Sequence, residues 1–167
     1  EYSEWNHTID GQYNHYVELF NATSNTLDLN NYQVQRAMNG EGWNLEGTTA
    51  REPLQLTGTL ESGQTFVITR ENLPESPNTL ASRANATYDF FNISGDDEIG
   101  LFKKNTQGQF ELLDVVGIPD ADPGEGWSVD GIENATQNRT LIRKPTVCEP
   151  NSDWTSAAGT EVLDGEW

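Results

Sequence analysis

Short runs in which apolar and polar residues alternate, each closed by Gly, Asn, Asp or Pro, decide what this chain can fold into. Tyr16-Val17-Glu18-Leu19-Phe20-Asn21 is the first, and after a polar turn Leu27-Asp28-Leu29-Asn30-Asn31-Tyr32-Gln33-Val34 leads into a second strand. The same logic recurs at residues 64–69, 95–102, 112–117 and 140–145. Period two is the repeat of a strand, whose successive side chains point to opposite faces. Short runs bounded in this way predict an antiparallel β-sandwich. No catalytic constellation accompanies that scaffold.

A length of 167 residues suits one domain with a real core. The hydrophobic share, 34%, is low for a globular chain, but 10% aromatics and the strand runs argue against disorder. There is no apolar stretch of about 18 residues, so no membrane span is expected. The chain opens inside what reads as a first strand, without a signal peptide, so residues 1–167 are expected to be one domain trimmed at both ends. Its 27 acids against 9 bases leave a net charge of −18. Such a surface repels nucleic-acid phosphate and anionic lipid, so direct nucleic-acid binding is not expected. Only Lys103-Lys104 and Arg143-Lys144 offer local basic pairs, and both fall within strand runs. The acidity fits a solvated surface in salty or calcium-rich surroundings, or specific cation binding.

The runs place strands at residues 1–3, 16–21, 31–37, 54–60, 64–70, 98–104, 110–117 and 139–144. Between 71 and 88 lies a Pro-, Asn- and Ala-rich connection with one helical turn near 80–84, and the tail after 144 reads as irregular. Alternation puts Val17, Leu19 and Asn21 on one face and Tyr16, Glu18 and Phe20 on the other. Phe66 and Ile68 oppose Val67, and Ile99 and Leu101 oppose Gly100 and Phe102. The bulkier apolar set of each strand is expected to point between the sheets.

Several pieces recur in a telling order: the opening Glu1-Tyr2, Tyr16 to Asn21, Asp28-Leu29, Tyr32, Leu56-Thr57-Gly58-Thr59-Leu60, Phe66-Val67-Ile68 and Gly95-Asp96-Asp97. Asp114-Val115-Val116-Gly117, Trp127, Thr140-Leu141-Ile142-Arg143-Lys144 and the closing Glu166-Trp167 follow. The ordered set resembles the lamin tail domain family in its bacterial and archaeal secreted form, over nearly the whole chain. The resemblance implies an immunoglobulin-like antiparallel β-sandwich. It also implies a non-catalytic module of secreted or surface-attached proteins, found beside nuclease, phosphatase or other hydrolase domains. A fold of this kind hosts many functions, so it does not name a ligand.

If the strands follow immunoglobulin order, loops 4–15, 38–53, 71–97 and 118–127 gather at one end. They would bring Trp5, Trp43 and Trp127 to Asp96, Asp97, Glu98, Asp120, Asp122 and Glu125. Hard oxygen ligands on loops suit Ca²⁺, and Asp120-Ala121-Asp122-Pro123-Gly124-Glu125 has the alternating carboxylates and the Gly of a calcium loop. It lacks the third Asp or Asn and the spaced Glu of an EF-hand. For Asp96 and Asp97 the alternative is a tight turn whose carboxylates cap backbone N–H groups. Glu1 and Glu18, on neighbouring strands, could share a cation or simply face water. Trp43 and Trp127 both follow Gly-Glu-Gly, so a carbohydrate or polymer platform is a second possibility, against two Trp side chains covering the core.

Six Asn-x-Ser/Thr sequons, at Asn6, Asn21, Asn85, Asn92, Asn134 and Asn138, exceed the roughly 2.5 that composition would give by chance. They fit either an N-glycosylated protein or Asn-rich turns without sugar. Cys148 is the only cysteine, so no internal disulfide exists; it reads as a structural thiol or as one that pairs outside this segment. His7 and His15 share a loop, have no nucleophile partner and are expected at the surface. No Gly-x-Ser-x-Gly, His-Glu-x-x-His or P-loop occurs. The expectation is therefore an accessory module of an extracellular or cell-surface protein, with calcium as a candidate stabilising ion and other domains of a parent protein as partners. The alternative is a structural subunit of a filament or surface layer, whose partners are neighbouring subunits.

Overall fold

Two facing sheets are assembled from the alternating runs. The computed structural model describes residues 1–4, 8–9, 12–44, 51–71, 73, 80–89 and 91–167. In chain order the strands are β1 (Tyr2–Ser3), β2 (Thr8–Ile9), β3 (Gln12–Tyr13), β4 (Tyr16–Phe20), β5 (Leu27–Asp28), β6 (Tyr32–Ala37) and β7 (Leu54–Gln55). Then come β8 (Thr59–Leu60), β9 (Thr65–Arg70), β10 (Ala86–Tyr88), β11 (Glu98–Lys104), β12 (Phe110–Val116), β13 (Thr140–Leu141) and one short helix, α1 (Trp154–Ala158). One sheet has the order β10-β9-β4-β1-β13 and the other β12-β11-β6-β7. The pairs β2–β3 and β5–β8 stand apart from both.

Register explains the core. Ala86, Ile68, Val17, Tyr2 and Leu141 are consecutive partners across the five strands of the first sheet. That unbroken apolar row joins Val34, Ile99 and Val116 of the second sheet in one buried cluster. Asn21, on the same face as Val17, is buried as well. Phe20, on the opposite face, is 61% exposed.

Three local readings change. Residues 54–60 are not one strand: β7 pairs with β6, whereas β8 pairs with β5, because Gly58 at φ +88 turns the chain between them. The connection before residue 88 holds β10, which runs parallel to β9, the one parallel pair of the described strands. The helical turn expected near 80–84 is present, as a 3-10 turn over Ala81–Arg83. The tail contains α1, which starts where the Asp153 carboxylate accepts from the Thr155 amide at 3.0 Å.

β11 is buried on both faces rather than one. Ile99 belongs to the central cluster, but Phe102 on the other face is only 1% exposed. The loop after β6 folds across that face and lays Trp43 edge-on to Phe102, with ring centroids 5.3 Å apart. No helix among the described residues is long and apolar enough to cross a membrane.

Candidate functional site

The loops after β6, before β11 and after β12 meet at one end of the sandwich. A Cβ at Gly40 would lie 3.3 Å from the Ala121 carbonyl carbon, and one at Gly95 would lie 3.0 Å from the Glu125 carbonyl oxygen. Two buried carboxylates enter this end side by side, at the start of β11.

Asp97 is fully buried and accepts from Arg36 Nη2 at 2.8 Å. The same oxygen accepts from the Ser94 amide at 2.7 Å and the Ser94 hydroxyl at 3.0 Å. Burial nevertheless raises its pKa, with Arg36 and Ser94 opposing the rise. Tyr2 feels the same ion pair. Burial first, then the Glu4 and Asp97 carboxylates, push the Tyr2 phenol well above its usual range. His15 feels both Arg36 and Arg70. Burial, then Arg70 and Arg36, lowers its pKa to about 4. Its Nε2 sits 3.9 Å from Glu4 Oε1, but a neutral imidazole makes that a contact and not an ion pair at neutral pH.

Glu98 points the other way, to the covered face of β11. Its two carboxylate oxygens are buried with no hydrogen-bond partner, and burial lifts its pKa to about 7. The Glu98 and Ala121 amides lie close enough to moderate that rise, while the Asp97 and Asp120 charges add to it. Gly117, at φ +94, makes room here: a Cβ would meet Trp127 Nε1 at 2.8 Å and Glu98 Cγ at 3.1 Å. A buried carboxylate beside an indole, with the Asp97 and Asp120 charges near it, favours its protonated form more than an exposed one does.

The residues singled out in the sequence are distributed differently from a calcium site. Asp97 is taken by Arg36 and Asp96 is half-buried beside it. Asp120 is exposed at φ +63. Asp122 accepts from the Gly124 amide at 2.8 Å, closing its own turn, and Glu125 accepts from Asn134 Nδ2 at 2.9 Å. Among the described residues no group of three His, Cys, Asp or Glu side chains could hold a metal ion. Glu1 and Glu18 do lie on paired strands, but the Glu1 carboxylate accepts from the Tyr16 hydroxyl and its amine donates to the Glu18 carbonyl at 2.8 Å.

The indoles do not form an open platform. Trp127 belongs to the core and is only 5% exposed, while Trp43 packs on Phe102. Trp5, His7 and Asn6 lie outside the described residues. Asn21 uses its amide on the Leu60 and Asn25 carbonyls, at 2.9 and 2.8 Å, and has no room for a glycan. Asn134 is half-buried, whereas Asn85, Asn92 and Asn138 are exposed. Cys148 is exposed rather than structural.

His15 is buried, against the surface position expected of it. The signal was present: it continues the inward alternation of Val17 and Leu19 by one step, and it stacks on Tyr13 at 5.4 Å. Arg36 carried no comparable signal, since its partner stands 61 positions later.

The family model described as the Lamin Tail Domain matches residues 1–120. No curated protein matches the chain. The residues after the match are integral to the fold: Trp127, Val129, Ala135, Trp154, Ala157 and Ala158 belong to the same core cluster as Val17 and Val34.

Proposed function

Because the chain belongs to the lamin tail domain family, we propose that it serves as a non-catalytic accessory or attachment module of a secreted or cell-surface multidomain protein. A hydrolase such as a nuclease is the partner domain that the family resemblance suggests. The observation that carries this reading is the use made of the ionisable groups at the loop end. Asp97 is bound to Arg36, and His15 and Glu98 are closed off from solvent. Among the described residues, these three ionisable groups at the loop end lie inside the protein, which favours a non-catalytic module. Exposed sequons at Asn85, Asn92 and Asn138 suit an extracellular setting.

Intact mass of the native polypeptide, before and after deglycosylation, tests the proposal. A mass several times 18.6 kDa, with hydrolase sequence in the remainder, supports it. A mass of 18.6 kDa plus removable sugar overturns it in favour of a free-standing surface subunit.

A further inference from the structure

The turn over residues 159–165 is held firmly and yet leaves its apolar residues uncovered. Asp164 Oδ1 accepts from the Thr160 and Glu161 amides at 2.9 and 3.0 Å. The Gly165 amide donates to Asp130 Oδ1 at 2.6 Å, and the Glu166 amide to the Ala157 carbonyl at 2.7 Å. At the tip, Val162 and Leu163 are 75% and 79% exposed. Leu163 has φ +79, the left-handed region that L-residues avoid and that Gly or Asn enters readily. Folding alone gains nothing from an exposed Leu in that conformation. Strain of this kind, held in place by surrounding hydrogen bonds, points to a use at the surface.

The tip adjoins a groove of about 450 Å³. Ala158, Gly159 and Thr160 line it, as do Trp127, Trp154 and the exposed Ile118. Gly131 lets a second loop pack against the turn: a Cβ there would lie 3.0 Å from the Thr160 carbonyl oxygen, and the next residue is the exposed Ile132. Charge around this apolar surface has one sign. Glu133 is the charged side chain lining the groove, no Lys or Arg lines it, and Glu161 and Asp164 flank the tip. Lys144, at the base of the turn, is engaged by Asp130 at 3.3 Å.

We propose that the Val162–Leu163 tip and its groove dock a segment of another polypeptide that presents apolar side chains next to Lys or Arg. Apolar contact supplies the anchor and the acidic rim selects a basic partner. The net charge of −18 disfavours a second copy and an anionic lipid surface. The surface belongs to residues beyond the family match, so it is a property of this chain, and it stands whether or not the chain is a module of a larger protein.

Fluorescence anisotropy of a short labelled peptide of alternating Leu and Lys, titrated with the full chain, tests it. Leu163→Asn keeps the left-handed turn and removes the anchor. It should weaken binding about tenfold while the thermal midpoint does not fall. Val162→Ser should weaken it similarly. Phe20→Ser, which removes an exposed aromatic on another sheet face, should leave it unchanged. Equal loss in Phe20→Ser, or none in Leu163→Asn, would reduce the binding to diffuse charge and overturn the proposal. So would concentration-dependent self-association, or binding to phosphatidylcholine vesicles, that Leu163→Asn abolishes.

Discussion

Glu98 carries a carboxylate in a space that offers it no partner, and the consequence is a stability that depends on pH. Its pKa is about 7 in the folded chain against an ordinary 4.5. Between those values the folded state holds a proton that the unfolded state has released. Stability therefore falls as pH rises through this window, by about 3 kcal/mol at most. Glu98→Gln removes the titration: the urea midpoint should rise at pH 8 and barely change at pH 4.5, and parallel wild-type and variant profiles would exclude this account. Arg36→Met acts in the opposite sense. It leaves Asp97 buried without its cation, and the loss should be about 3–5 kcal/mol at neutral pH, narrowing on acidification as Asp97 takes up a proton. Asn21 sets a third test. In a glycosylating host, mass mapping of the folded fraction should find sugar at Asn92 or Asn138 and none at Asn21, whose amide is committed to Leu60 and Asn25.

At the scale of elements, the tail matters most. β13 completes one sheet by pairing with β1, and α1 places Trp154 and Ala157 in the core. Arg143 binds Asp114 of β12 through two hydrogen bonds at 2.6 and 2.9 Å, tying the tail to the edge of the second sheet. Trp154→Ala should cost about 3 kcal/mol or more, from lost burial and the cavity left behind. A chain ending at residue 120, where the family match stops, should lose cooperative thermal unfolding; a sharp transition near that of the full chain would contradict this. β11 adds a related lesson. Its alternation correctly assigns Ile99 to the core, but alternation presumes that one face is wet. Trp43 and the loop after β6 remove that condition at Phe102, and the loop after β12 removes it at Glu98.

For the whole molecule, the charge of −18 is a standing repulsion among surface carboxylates. Added NaCl should raise the thermal midpoint by a few degrees through screening, with most of the gain before about 0.5 M. A midpoint insensitive to salt would show that the acidic groups are already compensated. Strand positions, faces and the two-sheet class were legible from the chain because period-two alternation is a local property, set by neighbours one and two residues away. The family was legible for the same reason, as an ordered series of such local runs. The split of residues 54–60 between two pairings, the parallel β10 and the surroundings of Asp97 and Glu98 were not. Each depends on a partner or cover far along the chain, such as Arg36 for Asp97 and the loop after β12 for Glu98. The amino-acid sequence by itself determined the class of fold and the sign of the surface. Only the tertiary structure decided which carboxylates face water and which are buried, because desolvation is imposed by whatever packs on top.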